Sequence, residues 1–150
     1  MQKLVSLSDI ELNVSVTDWQ DAVIKSGAIL VKNGYVTNEY VEAMVQTVKN
    51  LGPYIVAAPG LAMPHARSTS GVLKSGISIM TLSAPVEFGN ENNDPVSLLI
   101  GLAGSNDDLH LKIMQAIAML FADDGMLEEI MLCNDKAAIA ELFNQVEVKE

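Results

Sequence analysis

Apolar residues near the start of the chain recur with helical spacing in two stretches. Trp19, Val23, Leu30 and Val31, with Ala22 and Ala28, share one side of a helix that ends near Lys32, where Asn33-Gly34 stops it. Thr17-Asp18-Trp19-Gln20 before it has the form of a capping box. Thr37 caps a second helix with Tyr40, Val41, Met44, Val45 and Val48 on one face, and Gly52-Pro53 closes it. The middle of the chain changes character. Short β-forming runs appear at 54–57 and 61–64, and an apolar run at 77–82 reads as a strand covered on both faces. A short edge strand is expected at 85–88 and another buried strand at 96–103. Residues 1–16 show no helical period and leave room for one short strand. Loops fall at 67–71 (RSTSG), 89–95 (GNENNDP) and 104–108. Helical spacing then returns with Leu109, Ile113, Ile117, Leu120 and Phe121, followed by short helices near 125–132 and 136–144, the last capped by Asp135. Helices, strands and helices in that order predict an α/β fold, a mixed central sheet of about five strands with helices on both faces.

Composition narrows the class. The chain has 150 residues, 49% of them hydrophobic but only 5% aromatic, so aliphatic side chains must fill an ample core in what reads as a single domain. No apolar run approaches the roughly 18 residues of a membrane span, so no direct membrane insertion is expected. The N-terminus lacks the apolar core of a signal peptide, and the single cysteine, Cys133, excludes an internal disulfide. Both features lead us to expect a cytoplasmic protein. The formal net charge of −10 argues against nucleic acid or an anionic membrane surface as partner. No glycine-rich phosphate-binding signature is present, so neither ATP, NAD nor another cofactor is expected.

The candidate chemistry gathers around the two histidines. In Ala58-Pro59-Gly60-Leu61-Ala62-Met63-Pro64-His65-Ala66-Arg67, Pro64 pushes Met63 toward an extended backbone, and His65 falls just past a strand end. His110 lies at the start of the third long helix, where unpaired N–H groups suit an anion and oppose protonation of an imidazole. Each histidine follows a buried-strand candidate; if those strands are neighbours, both rings reach one pocket. A neutral imidazole can accept a phosphoryl group, for which Arg67, His110 and the helix N–H groups are the nearest donors. Asp94 is a weaker candidate for orienting a group in the pocket. A metal site built from His65, His110 and Asp94 is an alternative of another class.

The block GPYIVAAPGLAMPHAR at 52–67, EFGNENNDPV at 87–96 and the His110 segment resemble enzyme IIA domains of the bacterial phosphoenolpyruvate-dependent sugar phosphotransferase system. The resemblance is to the mannitol/fructose superfamily and within it the ascorbate branch, and it covers nearly the whole chain. It implies a phosphotransferase component of the mannitol/fructose IIA fold. His65 would take phosphate on Nε2 from the histidine-containing phosphocarrier protein, with His110 close by, and pass it to a cysteine of the cognate IIB while IIC moves the sugar through the membrane. The same resemblance allows a regulatory role toward a transcriptional regulator. Leu61 and Met63 are candidates for a partly apolar docking face. The oligomeric state is left open.

Overall fold

Residue alternation decides which way each strand faces. The computed structural model describes residues 4–123 and 125–145. It contains five strands: β1 (Ile10–Val14), β2 (Val56–Ala58), β3 (Leu61–Ala62), β4 (Gly76–Val86) and β5 (Val96–Ala103). They lie in the order β1-β4-β5-β3-β2. The β1–β4 and β5–β3 pairs are parallel, and the β4–β5 and β3–β2 pairs antiparallel, which makes the expected mixed sheet. Five helices complete the described residues: α1 (Trp19–Lys32), α2 (Asn38–Leu51), α3 (Asp107–Leu120), α4 (Met126–Cys133) and α5 (Lys136–Asn144).

The period of two along β4 and β5 feeds two cores. Ile77 and Ile79, with Leu98, Ile100 and Leu102, point to the side packed by α3, α4 and α5. Met80 and Leu82, with Leu99 and Ala103, point to the side packed by α1 and α2. Each such aliphatic side chain, once buried, stabilises the fold by about 1.5–3 kcal/mol. On the α1 side, Gly101 and Ser78 keep the sheet surface low. A Cβ on Gly101 would lie 2.5 Å from Ser78 Oγ and 3.0 Å from Ser26 Oγ, so α1 sits close against the sheet there. The buried Ser78 hydroxyl donates to the Ser26 carbonyl. Asp9, wholly buried, accepts from the Ser6 amide, the Asn33 side chain and the Tyr35 hydroxyl, and ties the start of β1 to the end of α1.

Several boundaries differ from the sequence reading. The run at 77–82 and the first half of the expected edge strand at 85–88, Pro85 and Val86, belong to one strand, β4, while Glu87 and Phe88 lie beyond it. The β4–β5 register breaks between Thr81 and Val86, and Pro85, which has no N–H to give, falls within that break. The strand expected at 54–57 begins at Val56 instead, leaving Tyr54 outside it. β3 keeps only Leu61 and Ala62. The 67–71 loop contains a 3-10 turn, Ser68–Ser70. The cap of α1 is Asp18, whose side chain accepts from the Asp21 amide while the Asp21 carboxylate accepts from the Thr17 amide, one position on from the expected box. The strand allowed within 1–16 is β1; residues 1–3 lie outside the described ones. No helix among the described residues is long and apolar enough to cross a membrane.

Candidate functional site

Because β3 and β5 run parallel, Leu61 opposite Leu98 and Ala62 opposite Leu99, the segments leaving their C-terminal ends emerge together. One leads to His65; the other leads through Gly104 into α3 and His110. The two imidazole centroids are 5.1 Å apart. The pair therefore sits beyond the carboxyl ends of neighbouring parallel strands, where open α/β sheets place their sites.

The His65 segment is held at its backbone. The Met63 amide donates to the Ile55 carbonyl at 2.8 Å, and the Leu102 amide donates to the Pro64 carbonyl at 3.0 Å. Tyr40, buried in the face of α2, closes the set: its hydroxyl accepts the Ala66 amide at 3.0 Å and donates to the Leu102 carbonyl at 2.6 Å. Burial pushes the Tyr40 phenol up to about 12, so it remains a donor. Residues on both sides of His65 are thus tied to the sheet or to α2.

The ring itself is oriented by its own backbone. His65 Nδ1 lies 2.7 Å from the Met63 carbonyl oxygen. A carbonyl can only accept, so Nδ1 carries the proton and the lone pair is on Nε2. Tyr54 meets that side of the ring edge-on, centroids 5.7 Å apart, with its hydroxyl 3.5 Å from Nε2. Burial holds the His65 imidazole below the usual histidine range, against the opposing effect of the Met63 bond. The ring is accordingly neutral at pH 7.

His110 is placed by a close backbone approach. A Cβ on Gly104 would fall 2.5 Å from both Cα and Cβ of His110, so only glycine lets α3 begin this near the end of β5. His110 Nδ1 is buried and has no hydrogen-bond partner among the described residues. This imidazole is also held below the usual range, chiefly by burial and then by His65, while Asp107 opposes. The expected direction holds, but burial is its main cause. One amide of the α3 terminus is already taken, and its first turn carries negative charge. Asn106 caps it by accepting the Leu109 amide, and Asp107 and Asp108 occupy its first turn.

The remaining candidates are elsewhere. Arg67 is exposed at the head of the 3-10 turn, and among the described residues its guanidinium makes no hydrogen bond or ion pair. The Asp94 carboxylate is committed to its own loop, accepting the amides of Phe88, Gly89 and Asn90. It fastens that loop and does not join the histidines. Leu61 and Met63, at 2% and 5% exposure, are core and offer nothing to a docking face. Two tyrosines escaped the sequence reading. Tyr40 looked like any member of an apolar stripe, although a phenol there needs a hydrogen-bond partner. Tyr54 looked like a strand residue; its place next to the Gly52-Pro53 break was the only cue.

A neutral imidazole with Nδ1 engaged by a carbonyl and its lone pair left on Nε2 can act as a nucleophile through that one nitrogen. The family model described as phosphoenolpyruvate-dependent sugar phosphotransferase system, EIIA 2, matches residues 3–146. Among curated proteins, the chain is 35% identical over 138 residues to the mannitol-specific cryptic phosphotransferase enzyme IIA component of Escherichia coli (strain K12), covering 92% of this chain and 93% of that one. It is 36% identical over 143 residues to the ascorbate-specific PTS system EIIA component of Salmonella choleraesuis (strain SC-B67), covering 95% and 93%. Among solved structures, the Escherichia coli complex of enzyme IIAMTL and phosphorylated enzyme IIBMTL contains a chain that superimposes with a TM-score of 0.84 at 28% identity, covering 93% of this chain and 96% of that one.

Proposed function

From the premise that the chain belongs to the EIIA 2 family of the phosphoenolpyruvate-dependent sugar phosphotransferase system, and is thus an EIIA phosphocarrier for sugar uptake, we propose that it carries its phosphoryl group on His65 Nε2. The observation that carries this reading is the bond from His65 Nδ1 to the Met63 carbonyl, which leaves Nε2 as the only basic ring nitrogen. In the proposed cycle the histidine-containing phosphocarrier protein is the donor and a cysteine of the cognate EIIB the acceptor, with IIC moving the sugar. A solved relative pairs IIA with a phosphorylated IIB, which supports that partner. We place this exchange in the cytoplasm. The sugar we assign is ascorbate, on the strength of the 52–67 segment and of ascorbate-specific relatives at 36–38% identity.

The geometry suits a carrier rather than a trap. His65 is only partly buried, and the one hydrogen-bond donor recorded against Nε2 among the described residues is the Tyr54 hydroxyl. Neutral His110, 5.1 Å away, adds a second imidazole beside the phosphoryl position without repelling His65 by a full charge.

The decisive experiment incubates the chain with phosphoenolpyruvate, enzyme I and the phosphocarrier protein and measures acid-labile phosphate. Wild type is expected to label and His65→Ala to take up none. Labelling of His65→Ala at the wild-type level overturns the assignment. Offering labelled protein to ascorbate and mannitol EIIB proteins in turn tests the sugar, with faster transfer expected to the ascorbate partner.

A further inference from the structure

The phosphoryl group proposed for His65 needs a hydrogen-bond donor, and none of the donors expected from sequence hydrogen-bonds the His65 ring among the described residues. Arg67 is exposed and unengaged among the described residues. The Leu109 amide is taken by Asn106, and the first turn of α3 presents two carboxylates, Asp107 and Asp108. Burial keeps His110 neutral, so it offers one N–H at most.

Tyr54 stands on the other side. Its hydroxyl is the side-chain donor found against Nε2 among the described residues, at 3.5 Å. That contact is long for a hydrogen bond, so giving it up costs little. Tyr54 as a residue is 47% exposed, which leaves it room to follow a group entering from solvent. The turn beneath it is nonetheless fastened. Gly52 has a φ of +88°, the Val56 amide donates to the Pro53 carbonyl, and Asn90 reaches the same oxygen. Burial raises the Tyr54 phenol, so it stays protonated and able to donate.

We propose that the Tyr54 hydroxyl is the phosphoryl-binding donor of this site: it rests against His65 Nε2 and moves to a nonbridging phosphoryl oxygen once phosphorus is bonded to that nitrogen. The inference rests on His65 being the phosphoryl acceptor. In the transfer, the Nε2 lone pair forms the new N–P bond. The bond from phosphorus to the donor protein's histidine nitrogen breaks, and its electron pair returns to that nitrogen. The proton on His65 stays on Nδ1, donated in a hydrogen bond to the Met63 carbonyl, and the Tyr54 proton stays on its oxygen. No other reactant is required. A hydrogen bond to a doubly charged phosphoryl group is stronger than one to a neutral imidazole, so Tyr54 favours the loaded state over the empty one.

The test is Tyr54→Phe, which keeps the aromatic edge against His65 and removes only the donor. Phosphoryl groups are allowed to equilibrate between the phosphocarrier protein and this chain, and both phosphohistidines are quantified by 31P NMR. Tyr54→Phe is expected to lower the loaded-to-empty ratio of this chain by about five- to tenfold, to shift its 31P resonance and to leave its melting temperature unchanged. A ratio within about twofold of wild type, whatever the melting temperature does, overturns the proposal. Failure of wild-type protein to label strikes instead at His65 as acceptor, so the two ideas fail separately.

Discussion

His65 and His110 face each other across 5.1 Å, yet they are held by opposite means. His65 belongs to a segment whose backbone is hydrogen-bonded at Met63, Pro64 and Ala66, and its own Nδ1 is engaged. His110 has a buried Nδ1 with no partner among the described residues, and its position comes from steric closeness to Gly104. One ring is fixed by directed bonds, the other by shape. Directed bonds fix which nitrogen reacts; close packing fixes only where a ring stands. That division suits a nucleophile beside an auxiliary group.

Breaking the packing side is expected to cost most. Gly104→Ala puts a methyl group into the His110 backbone, and α3 must shift at its start. A displacement near 1 Å is expected to slow phosphoryl transfer by about 100-fold, and the overpacking to cost about 1–3 kcal/mol in urea unfolding. His110→Ala comes next. It is expected to slow transfer about tenfold, measured by rapid quench, with no loss of stability, because it removes an unpartnered buried nitrogen. Unchanged transfer would leave His110 as filler. Tyr40→Phe probes the bonded side. It leaves the Leu102 carbonyl and Ala66 amide without their hydroxyl, so it is expected to cost about 1–3 kcal/mol in stability with only a few-fold loss in transfer. Acidification gives the smallest effect. Both imidazoles lie below the ordinary histidine value of 6.5 in the folded protein. The unfolded chain therefore binds protons first, and stability present above pH 6.5 is lost as pH falls below it. The pH dependence of unfolding should flatten in His65→Gln; an unchanged slope would show that burial of this ring has little thermodynamic effect.

The same contrast separates what could be read from the sequence from what could not. The α2 stripe, the buried β5 run and the α3 stripe were legible because each burial pattern is local and periodic. His65 was legible because Pro64 and the turn residues constrain the chain immediately around it. Pro85 hid the length of β4, since a proline reads as a strand break unless the register gap opposite it is known. Tyr40 and Tyr54 act on His65 from 25 and 11 positions upstream, and only the folded topology shows that they converge. Asp94 shows the converse error: its loop composition predicted a turn correctly, but the three amides its carboxylate accepts from, those of Phe88, Gly89 and Asn90, all belong to that turn or to the residue entering it.

The Met63 carbonyl has a consequence for how cargo is exchanged. In the cycle proposed above, a His65 ring that keeps its Nδ1 hydrogen donated to the Met63 carbonyl in both states would neither collect nor shed a hydrogen ion at either handover. Traffic through it would then be indifferent to modest swings in ambient acidity above the range where the bare ring titrates. Its direction would be set by how strongly each neighbour in the relay wants the cargo.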